Sequence, residues 1–380
     1  MMIFLAAMLL ICFLLAVHPY TTYPLSLLAL KALRRNAIAP IGAAPNSYAI
    51  ACCVYNERQV IEAKVANMLA LKERLPNCQL LVHSDGSSDG TDEFLRAHSD
   101  VLTLSFAERR AGKSTGMNAL MRKTSAEVVI FTDANVMIDP ERVANVGHYF
   151  RDPKIGCVTG HLSYTNPDES ATAWTGARYW RFEEWLKQLE SETGSVVGAD
   201  GSIFAIRRRL YTPAPADIID DFHTSMSIFC SGHRIVRAED FVAYERAATV
   251  REDELRRKVR ISCRAFNCHR LLWPRILRSG VLPVYMYTSH KLLRWLSGYF
   301  VALGMICTAL MVGLAFGPAG FLAFVAALVL GIVLAGRTRL PLVSKIWEGV
   351  AATAATGAGV YKSLRGERFQ TWTIAASTRR

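Results

Sequence analysis

The stretch DGSSDG, from Asp85 to Gly90, brings two carboxylates and two hydroxyls close together in the chain. A calcium-binding EF-hand loop begins in this way, but it needs a preceding helix and an acidic residue at its twelfth position. Here the apolar run QLLVHS precedes the loop, and the twelfth residue from Asp85 is Arg96. The pattern therefore favours a nucleotide-binding loop at the end of a strand, with a plain Asp-Gly turn as the simpler alternative.

A dinucleotide-binding domain is a second possibility for a polar loop after a strand. It requires the glycine pattern G-x-G-x-x-G directly after the first strand. The first strand-like run here ends in VYNER, from Val54 to Arg58, which contains no glycine. The sequence therefore argues against a nicotinamide-binding domain.

Three further polar stretches have residue types suited to metal, phosphate or proton chemistry. AERRAGKSTGMNAL places Lys113 before a helix, IFTDANVMIDP places Asp133 and Asn135 after a very apolar strand, and IIDDF contains Asp220 and Asp221. Each has a plainer interpretation, such as a solvated turn or a helix N-cap. The basic run ELRRKVRI is equally typical of a segment that binds lipid headgroups. Their order along the chain favours one shared site.

Alternating strands and helices must position these residues. Between residues 46 and about 280, strands are predicted over 47–55, 79–84, 101–106 and 127–133, with helices over Glu57–Leu75 and Ser114–Lys123. This alternation predicts an α/β domain with a mostly parallel sheet and helices on both faces. Ligands of such sheets bind at the carboxyl ends of the strands.

The composition is compatible with a membrane protein that handles phosphate. The chain has 380 residues, of which 51% are hydrophobic, and a formal net charge of +12. That charge suits nucleic acid, an anionic membrane surface or phosphorylated substrates. Nine cysteines without a repeating spacing indicate reduced thiols rather than a disulfide framework. The spacing of Cys263, Cys268 and His269 does not fit a zinc site.

The N-terminal segment is predicted to be a membrane anchor. Residues 1–30 contain no Lys, Arg, Asp or Glu and are long enough to span a bilayer. A signal peptide is the alternative, but the basic region that should precede the apolar run is missing. Lys31, Arg34 and Arg35 follow the apolar run, so residue 36 onward is expected in the cytoplasm.

A second apolar block, residues 295–336, carries no charge and is divided by GPAG at Gly317–Gly320. It predicts a helical hairpin that crosses outward over Gly298–Phe316 and returns over Phe321–Ala335, with Arg337 and Arg339 on the cytoplasmic side. Residues 342–366 are rich in small residues but carry charges. This segment is expected to be either a third crossing or an interfacial or re-entrant helix.

The stretches YNER, SDGSSDGT, TDAN, GADGSIFAIRR, DDF and RRKVRI, taken in order, resemble the motifs of the family 2 glycosyltransferases. The resemblance is strongest to the membrane-bound bacterial members related to cellulose, chitin and hyaluronan synthases, and it covers most of the chain. It implies a Rossmann-like GT-A catalytic domain over residues 46–285. An N-terminal transmembrane anchor (1–35) and a C-terminal membrane region (286–380) would flank this domain.

The resemblance also implies roles for individual residues. Asp221 would be the general base, and a single base without a separate nucleophile implies inversion at the anomeric carbon. Asp133 and Asn135 would hold Mg²⁺ or Mn²⁺. Residues implied at the nucleotide-sugar donor are Ala51, Glu57, Asp85, Lys113, Asp133, Arg257, Lys258 and Arg260. Asp200, in the glycine stretch, and Asp220 are implied at the acceptor. The stretch YWRFEEW, from Tyr179 to Trp185, carries aromatic and acidic residues at helical spacing. It predicts either a helix packed on the domain or an acceptor-sugar platform formed by Trp180 and Glu183.

The resemblance therefore implies an inverting glycosyltransferase in the bacterial inner membrane, multi-pass, with its catalytic domain in the cytoplasm. It would transfer sugar from a nucleotide-diphosphate donor, preferably a UDP-sugar, to a glycan or lipid-linked acceptor for exopolysaccharide or cell-surface glycan synthesis. Membrane lipids and other polysaccharide-export proteins are expected partners, and nucleic acid is not.

The last motif, RRKVRI, is degenerate, with Arg257 in place of Gln and Ile261 in place of Trp. A processive polysaccharide synthase is thus the alternative, and a nucleotidyltransferase or a non-enzymatic scaffold are alternatives of another class.

Overall fold

A computed structural model describes residues 1–33, 37–338 and 340–371. Arg34, Arg35 and Arg339, which entered the topology prediction, lie outside the described residues.

Within the described residues, eight strands form one mixed sheet in the order β3-β2-β1-β4-β7-β6-β8-β5. The strands β3, β2, β1 and β4 pair in parallel. β7 runs antiparallel to both β4 and β6, and β8 is parallel to β6. The predicted strands are confirmed as β1 to β4, and the mostly parallel sheet is confirmed. The strands are β1 Tyr48–Val54, β2 Cys78–Ser84, β3 Thr103–Phe106, β4 Val128–Thr132, β5 Met137–Ile138, β6 Ile155–Tyr164, β7 Ile203–Arg207 and β8 Arg234–Glu245.

Helices cover both faces of this sheet and continue beyond it at both ends of the chain. The helix predicted over Glu57–Leu75 begins only at Ile61, because residues 55–60 form a turn in which Asn56 has a φ of 51°. The helices are α1 Met2–Val17, α2 Thr22–Leu33, α3 Ile61–Arg74, α4 Thr91–Arg96, α5 Lys113–Met121, α6 Val146–Tyr149, α7 Ala171–Thr193, α8 Asp220–Cys230, α9 Arg251–Ile276, α10 Val281–Tyr287, α11 Leu293–Arg337 and α12 Pro341–Leu364.

The central strands are buried on both faces. Every residue of β1 and of β4 is buried, as expected for strands between two helical layers. On one face, Phe131 of β4 stacks on Phe204 of β7 with their ring centroids 4.7 Å apart. This rigid centre fixes the positions at which the strands end.

The strand directions bring several loops to one edge of the sheet. The strands β1, β2 and β4 are parallel and therefore end at the same edge, and β6 and β8 end there as well. Because β7 is antiparallel to β4, the residues before Ile203 also lie at this edge. Glu57, Asp85, Asp133 and Asp200 are thus near neighbours, as expected for ligand-binding residues of an open α/β sheet.

Two helical segments among the described residues are long and apolar enough to cross a membrane, Met2–Tyr20 and Val281–Arg337. The second is broken at Gly317, whose φ of 72° is non-helical. A Cβ on Gly313 would lie 3.3 Å from the Cβ of Phe321. In a continuous helix these residues would be about 12 Å apart along the axis, so the chain bends sharply here, as the predicted hairpin requires.

The last helix, α12, packs along α9. Ser363 donates to Asn267 at 2.6 Å, and Arg270 donates to the carbonyl oxygen of Ser363 at 2.8 Å. Gly359 touches α9 so closely that a Cβ would lie 2.7 Å from the Cβ of Ser262. These contacts place α12 against α9, and the choice between a third crossing and an interfacial or re-entrant helix stays a prediction.

A buried network of charges joins α2 and the start of the second apolar segment to α7. His290, in a π-helical turn over Thr288–Leu292, lies 2.8 Å from Glu183 and 2.6 Å from Glu190. Glu190 also accepts a hydrogen bond from Tyr23 of α2 at 2.6 Å, and Arg294 forms an ion pair with Glu183. Because buried charges need such partners, the network fixes the helices relative to one another.

Candidate functional site

The loops after β1 and β2 are tied together by side chains of the DGSSDGT stretch. Asp89 accepts from the backbone N–H groups of Arg58 and Thr91, at 2.9 and 3.1 Å. Asn56 accepts from the N–H of Ser88 at 2.8 Å. Much of this motif thus builds the wall of the site rather than its open surface.

Asp85 is completely buried and holds the loop that precedes α5. One of its oxygens accepts from the backbone N–H of Ala111 at 2.7 Å, and both accept from Gly112, at 3.1 and 3.0 Å. Glu57 is also buried, at the start of the α3 turn. A contact of either acid with a nucleotide stays a prediction. The structure does not bring Ala51 to the site, because it lies inside β1, about 10 Å before the strand end.

Lys113 lies between two acids at the centre of the site. Its Nζ is 2.6 Å from Asp133 Oδ1 and 3.4 Å from Asp220 Oδ2. Burial opposes the charge of this ammonium, but Asp133, Asp220 and Asp221 more than compensate and hold its pKa well above the usual value. The ammonium shows that this point of the site accommodates a cation.

Asp221 is the second residue of α8, directly after Asp220, and the helix dipole stabilises a carboxylate in this first turn. Its carboxylate accepts from the N–H of Phe222 at 2.6 Å and packs against Gly201, at which a Cβ would collide with it. Burial, and then the charge of Asp220, raise the pKa of Asp221 to about 7. A carboxyl group with such a pKa can accept a proton near neutral pH.

Two residues that the sequence analysis missed support the turn after β4. Lys64 of α3 is fully buried and donates to Thr132 at 2.9 Å and to the carbonyl oxygen of Val136 at 2.6 Å. Lys64 lies within the apolar stripe of α3, and this position in the sequence could have indicated that its side chain is buried. Glu245, at the end of β8, accepts from the amide of Asn135 at 3.0 Å, and burial raises its pKa to about 7.

The basic residues of α9 have different surroundings. Arg257 and Lys258 form ion pairs with Glu254, at 3.1 and 3.2 Å. Among the described residues, Arg260 forms no such pair. Burial and the neighbouring Arg264 and Arg257 lower the pKa of Arg260 to about 10. A guanidinium without an ion-pair partner is a strong hydrogen-bond donor to phosphate.

Arg264, which the sequence analysis also missed, connects α9 to α5 and to the segment before α8. It donates to Ser114 at 3.0 Å and to the carbonyl oxygen of Ile218 at 2.6 Å. It therefore fixes the start of α5 and the segment before α8 against α9. Arg264 lies one helical turn after Arg260, just beyond the basic run. This spacing is the sequence feature from which its role could have been inferred.

The residues predicted at the acceptor do not lie together. Trp180 donates to the carbonyl oxygen of Leu162 at 3.0 Å, which is the contact of a helix packed on the sheet. Glu183 is buried in the network with His290 and Arg294, so an acceptor contact there is not supported. Asp200 lies at the site edge before β7, and burial raises its pKa. Asp200 and Asp220 therefore remain the candidates.

The C-terminal segment after α12 borders the same site. The carbonyl oxygen of Glu367 accepts from Asn267 at 3.1 Å, and Arg368 lies 3.4 Å from Asp217. Gly112, with a φ of 93°, faces the backbone of Gln370 so closely that a Cβ would collide with it. This close approach needs a glycine, and it brings the end of the described chain next to Lys113.

The donor set at the end of β4 suits a hard divalent cation with further ligands from a substrate. Asp133 offers a carboxylate whose side chain is 36% exposed, and Asn135 offers an amide oxygen. Among the described residues, no group of three or more His, Cys, Asp or Glu side chains forms a complete metal site. Mg²⁺ commonly binds one or two carboxylates together with substrate phosphates, so these residues fit such a cation.

Comparisons with known proteins identify relatives of this chain. A family model described as "Glycosyltransferase like family 2" matches residues 45–264. The poly-beta-1,6-N-acetyl-D-glucosamine synthase of Staphylococcus aureus strain COL is 26% identical over 197 residues, which are 50% of this chain and 47% of that protein. The synthase of the same name from Staphylococcus epidermidis is 26% identical over 153 residues, 40% of this chain and 36% of that protein. The chain spans about half or less of the length of these relatives.

A solved structure extends the similarity in fold to almost the whole chain. The mannosyltransferase PcManGT from Pyrobaculum calidifontis, in complex with GDP-Man and Mn²⁺, superposes with a TM-score of 0.71. The alignment covers 96% of this chain and 100% of that chain at 21% identity. It supports the GT-A-like fold predicted from the sequence.

Proposed function

Because the chain belongs to the family described as glycosyltransferase like family 2, we propose that it transfers a sugar from a nucleotide-diphosphate donor to an acceptor hydroxyl with inversion. The observation that carries this proposal is the meeting of Lys113, Asp133, Asp220 and Asp221 at the carboxyl edge of the sheet, with Lys113 2.6 Å from Asp133. A nucleotidyltransferase would not need the base Asp221, and a scaffold would need none of these acids.

Donor binding is assigned to the edge formed by β1, β2 and β4. Asp133 and Asn135 would hold Mg²⁺ or Mn²⁺, which supplies charge neutralisation for the leaving diphosphate. The guanidinium of Arg260 would bind a phosphate oxygen and so stabilise the same developing charge. Lys113 would turn from Asp133 toward the diphosphate when the donor is present.

Asp221 would perform the proton transfer. In the reaction, the acceptor oxygen forms a bond to the anomeric carbon as the bond from that carbon to the diphosphate breaks. Asp221 takes the acceptor proton, and the electron pair of the broken bond leaves with the diphosphate. With no second carboxylate acting as nucleophile, one displacement inverts the anomeric configuration.

The membrane segments suggest where the acceptor lies. We infer a catalytic domain on the cytoplasmic side of a bacterial inner membrane, a UDP-sugar donor, and a glycan or lipid-linked acceptor for surface glycan synthesis. The staphylococcal relatives are named as polymer synthases, so processive synthesis is the second candidate. Product length, measured by mass spectrometry, distinguishes one addition from many.

The first test is nucleoside diphosphate release by the detergent-purified full chain, with a panel of UDP- and GDP-sugars and added Mn²⁺ or Mg²⁺. Release should require the metal and should be lost in Asp133→Ala, together with metal-dependent UDP binding measured by calorimetry. Asp100→Ala, which removes an exposed acid before β3, is the matched control. Metal-independent binding of UDP that is equal in wild type and Asp133→Ala would contradict the proposal.

A further inference from the structure

The proposed metal site has only one carboxylate from the turn after β4. The stretch TDAN offers Asp133, but an amide stands at position 135. Asp133 also forms an ion pair with the ammonium of Lys113, whose Nζ is 2.6 Å from Asp133 Oδ1. The negative charge available to a divalent cation at this turn is therefore small.

A second carboxylate reaches the turn from a distant part of the sequence. Residue pairs Met137–Tyr244 and Ile138–Ala243 align β5 with β8 in antiparallel register, which sets Glu245 beside the turn after β4. The backbone at Glu245 is held in place because its carbonyl oxygen accepts from the N–H of Thr165 at 3.0 Å. Its side chain therefore stands on rigid strands rather than on a loop.

Glu245 makes one contact that matters for the cation. Its Oε1 lies 3.0 Å from Nδ2 of Asn135, and the residue is only 8% exposed. In its deprotonated form Glu245 can only accept in this bond, so the NH₂ group of Asn135 faces Glu245. The carbonyl oxygen of the amide is consequently turned away from Glu245, and rotation of the amide would break this hydrogen bond.

We propose that Glu245 is a positioning residue of the donor-metal site, which orients the carbonyl oxygen of Asn135 as a ligand and supplies the charge that position 135 lacks. This inference rests on the proposed function. Partners that hydrogen-bond to a metal ligand set its orientation and its donor strength, and their loss typically weakens metal binding by about 10–100-fold. Glu245 and Asn135 thus act together as the second acid of the site.

The proposal is tested by exchanging the two chemical groups. Glu245→Gln removes the charge while it keeps an acceptor for the amide of Asn135. The double variant Asn135→Asp/Glu245→Gln moves the carboxylate to position 135 and reverses the hydrogen bond, since the new amide can donate to the new acid. Glu239→Gln is the matched control, because Glu239 lies on the same strand with a side chain that is 71% exposed.

The measurement is Mn²⁺ affinity in the presence of UDP, by calorimetry and by the electron paramagnetic resonance of free Mn²⁺, on the full chain in detergent. We expect Glu245→Gln to bind Mn²⁺ about 10–100-fold more weakly. The double variant should return to within about threefold of wild type, and Glu239→Gln should equal wild type. The melting temperatures of all variants are recorded alongside.

The outcomes separate this inference from the proposed function. Wild-type affinity in Glu245→Gln would overturn the inference alone, and so would weak binding that the double variant does not restore. If the wild-type chain itself shows no metal-dependent binding of UDP or of other nucleoside diphosphates, the proposed function falls, and this inference with it.

Discussion

Asp221 is the residue on which the proposed mechanism depends most directly. A base acts in the transition state, so its removal should lower turnover and spare donor binding. Asp221→Asn keeps the shape and removes proton acceptance, and we expect kcat to fall by about 10²–10⁴-fold. UDP affinity and melting temperature should stay near wild type, and Asp220→Asn should be milder. Unfolding of Asp221→Asn, or full activity in it, would leave a helix-start role as the better account.

The same carboxyl group predicts a pH dependence. Burial and Asp220 raise the pKa of Asp221 to about 7, and only the deprotonated form accepts a proton. kcat should therefore rise with pH, from about one-tenth of its limit at pH 6 to one-half at pH 7. Saturating donor and metal are needed, because Glu245 has a similar pKa and adjoins the metal position. A kcat that is constant from pH 6 to 8 would contradict the assignment.

Arg260 gives a third test at this scale, with a neighbour on the same helix as control. Arg260 has no ion pair among the described residues, whereas Arg256 lies 2.8 Å from Asp253 and has a side chain that is 77% exposed. Arg260→Ala should reduce transfer by about 10²-fold or more, as loss of a charge-stabilising donor does. Arg256→Ala should remain near wild type. Equal effects on sugar transfer, with both proteins still bound to membranes, would favour a lipid-headgroup role for the whole basic run.

Residue types and their order along the chain were enough to predict one shared site that includes Lys113, Asp133 and Asp220. The ion pairs of Lys113 with these two acids were not predicted, because they depend on side-chain positions in the fold. Glu245 was beyond this reasoning, since its place beside Asn135 depends on the pairing of β8 with β5. Glu183 was assigned to an acceptor because aromatic and acidic residues recur at helical spacing around it. Its actual partners, His290 and Arg294, lie more than a hundred residues later.

At the scale of elements, the order of the first strands was predictable because each apolar run is short and followed by a polar loop. The second half of the sheet was not, because β7 enters antiparallel between β4 and β6. No local pattern in the sequence records that insertion. The same insertion places Asp200 beside Asp221, so the acceptor side of the site depends on long-range pairing.

The junction between α7 and the membrane helices yields a stability prediction. Glu190 accepts from Tyr23, His290 and the N–H of Val197, and none of its surface is exposed. Glu190→Gln places an NH₂ group among three donors, and we expect a loss of about 3–5 kcal/mol of unfolding free energy in detergent. Glu192→Gln, which breaks the surface ion pair with Lys31, should cost about 0–1 kcal/mol. Equal urea midpoints for the two variants would show that the buried network does not hold the junction.

At the scale of the whole molecule, the apolar helices and the site lie on one continuous chain. Large apolar side chains on the membrane segments are exposed, such as Ile3 at 87% and Phe316 at 74%. Exposed surface of this kind calls for a lipid environment. Since α12 packs along α9 and also accepts a hydrogen bond from Tyr299 of α11, it joins the domain of the site to the apolar segments, and we propose that a lipid-linked acceptor enters there.

Topology is the prediction that joins these parts. The break at Gly317 lies between the two apolar halves of α11, Lys31 follows the first apolar segment and pairs with Glu192 of α7, and Arg337 ends the second apolar segment. Basic residues that flank membrane segments stay in the cytoplasm, so the break between the two apolar halves should lie outside. A cysteine at Ala319, in this break, should therefore react with an impermeant thiol reagent added to whole cells. A cysteine at Ser88, an exposed residue of the donor loop, should react only after the cells are opened. The native thiols interfere little, since all but the partly exposed Cys230 are buried and Cys230→Ser removes that one. Labelling of Ser88→Cys in intact cells would place the catalytic domain outside, where cytoplasmic nucleotide-sugars could not reach it.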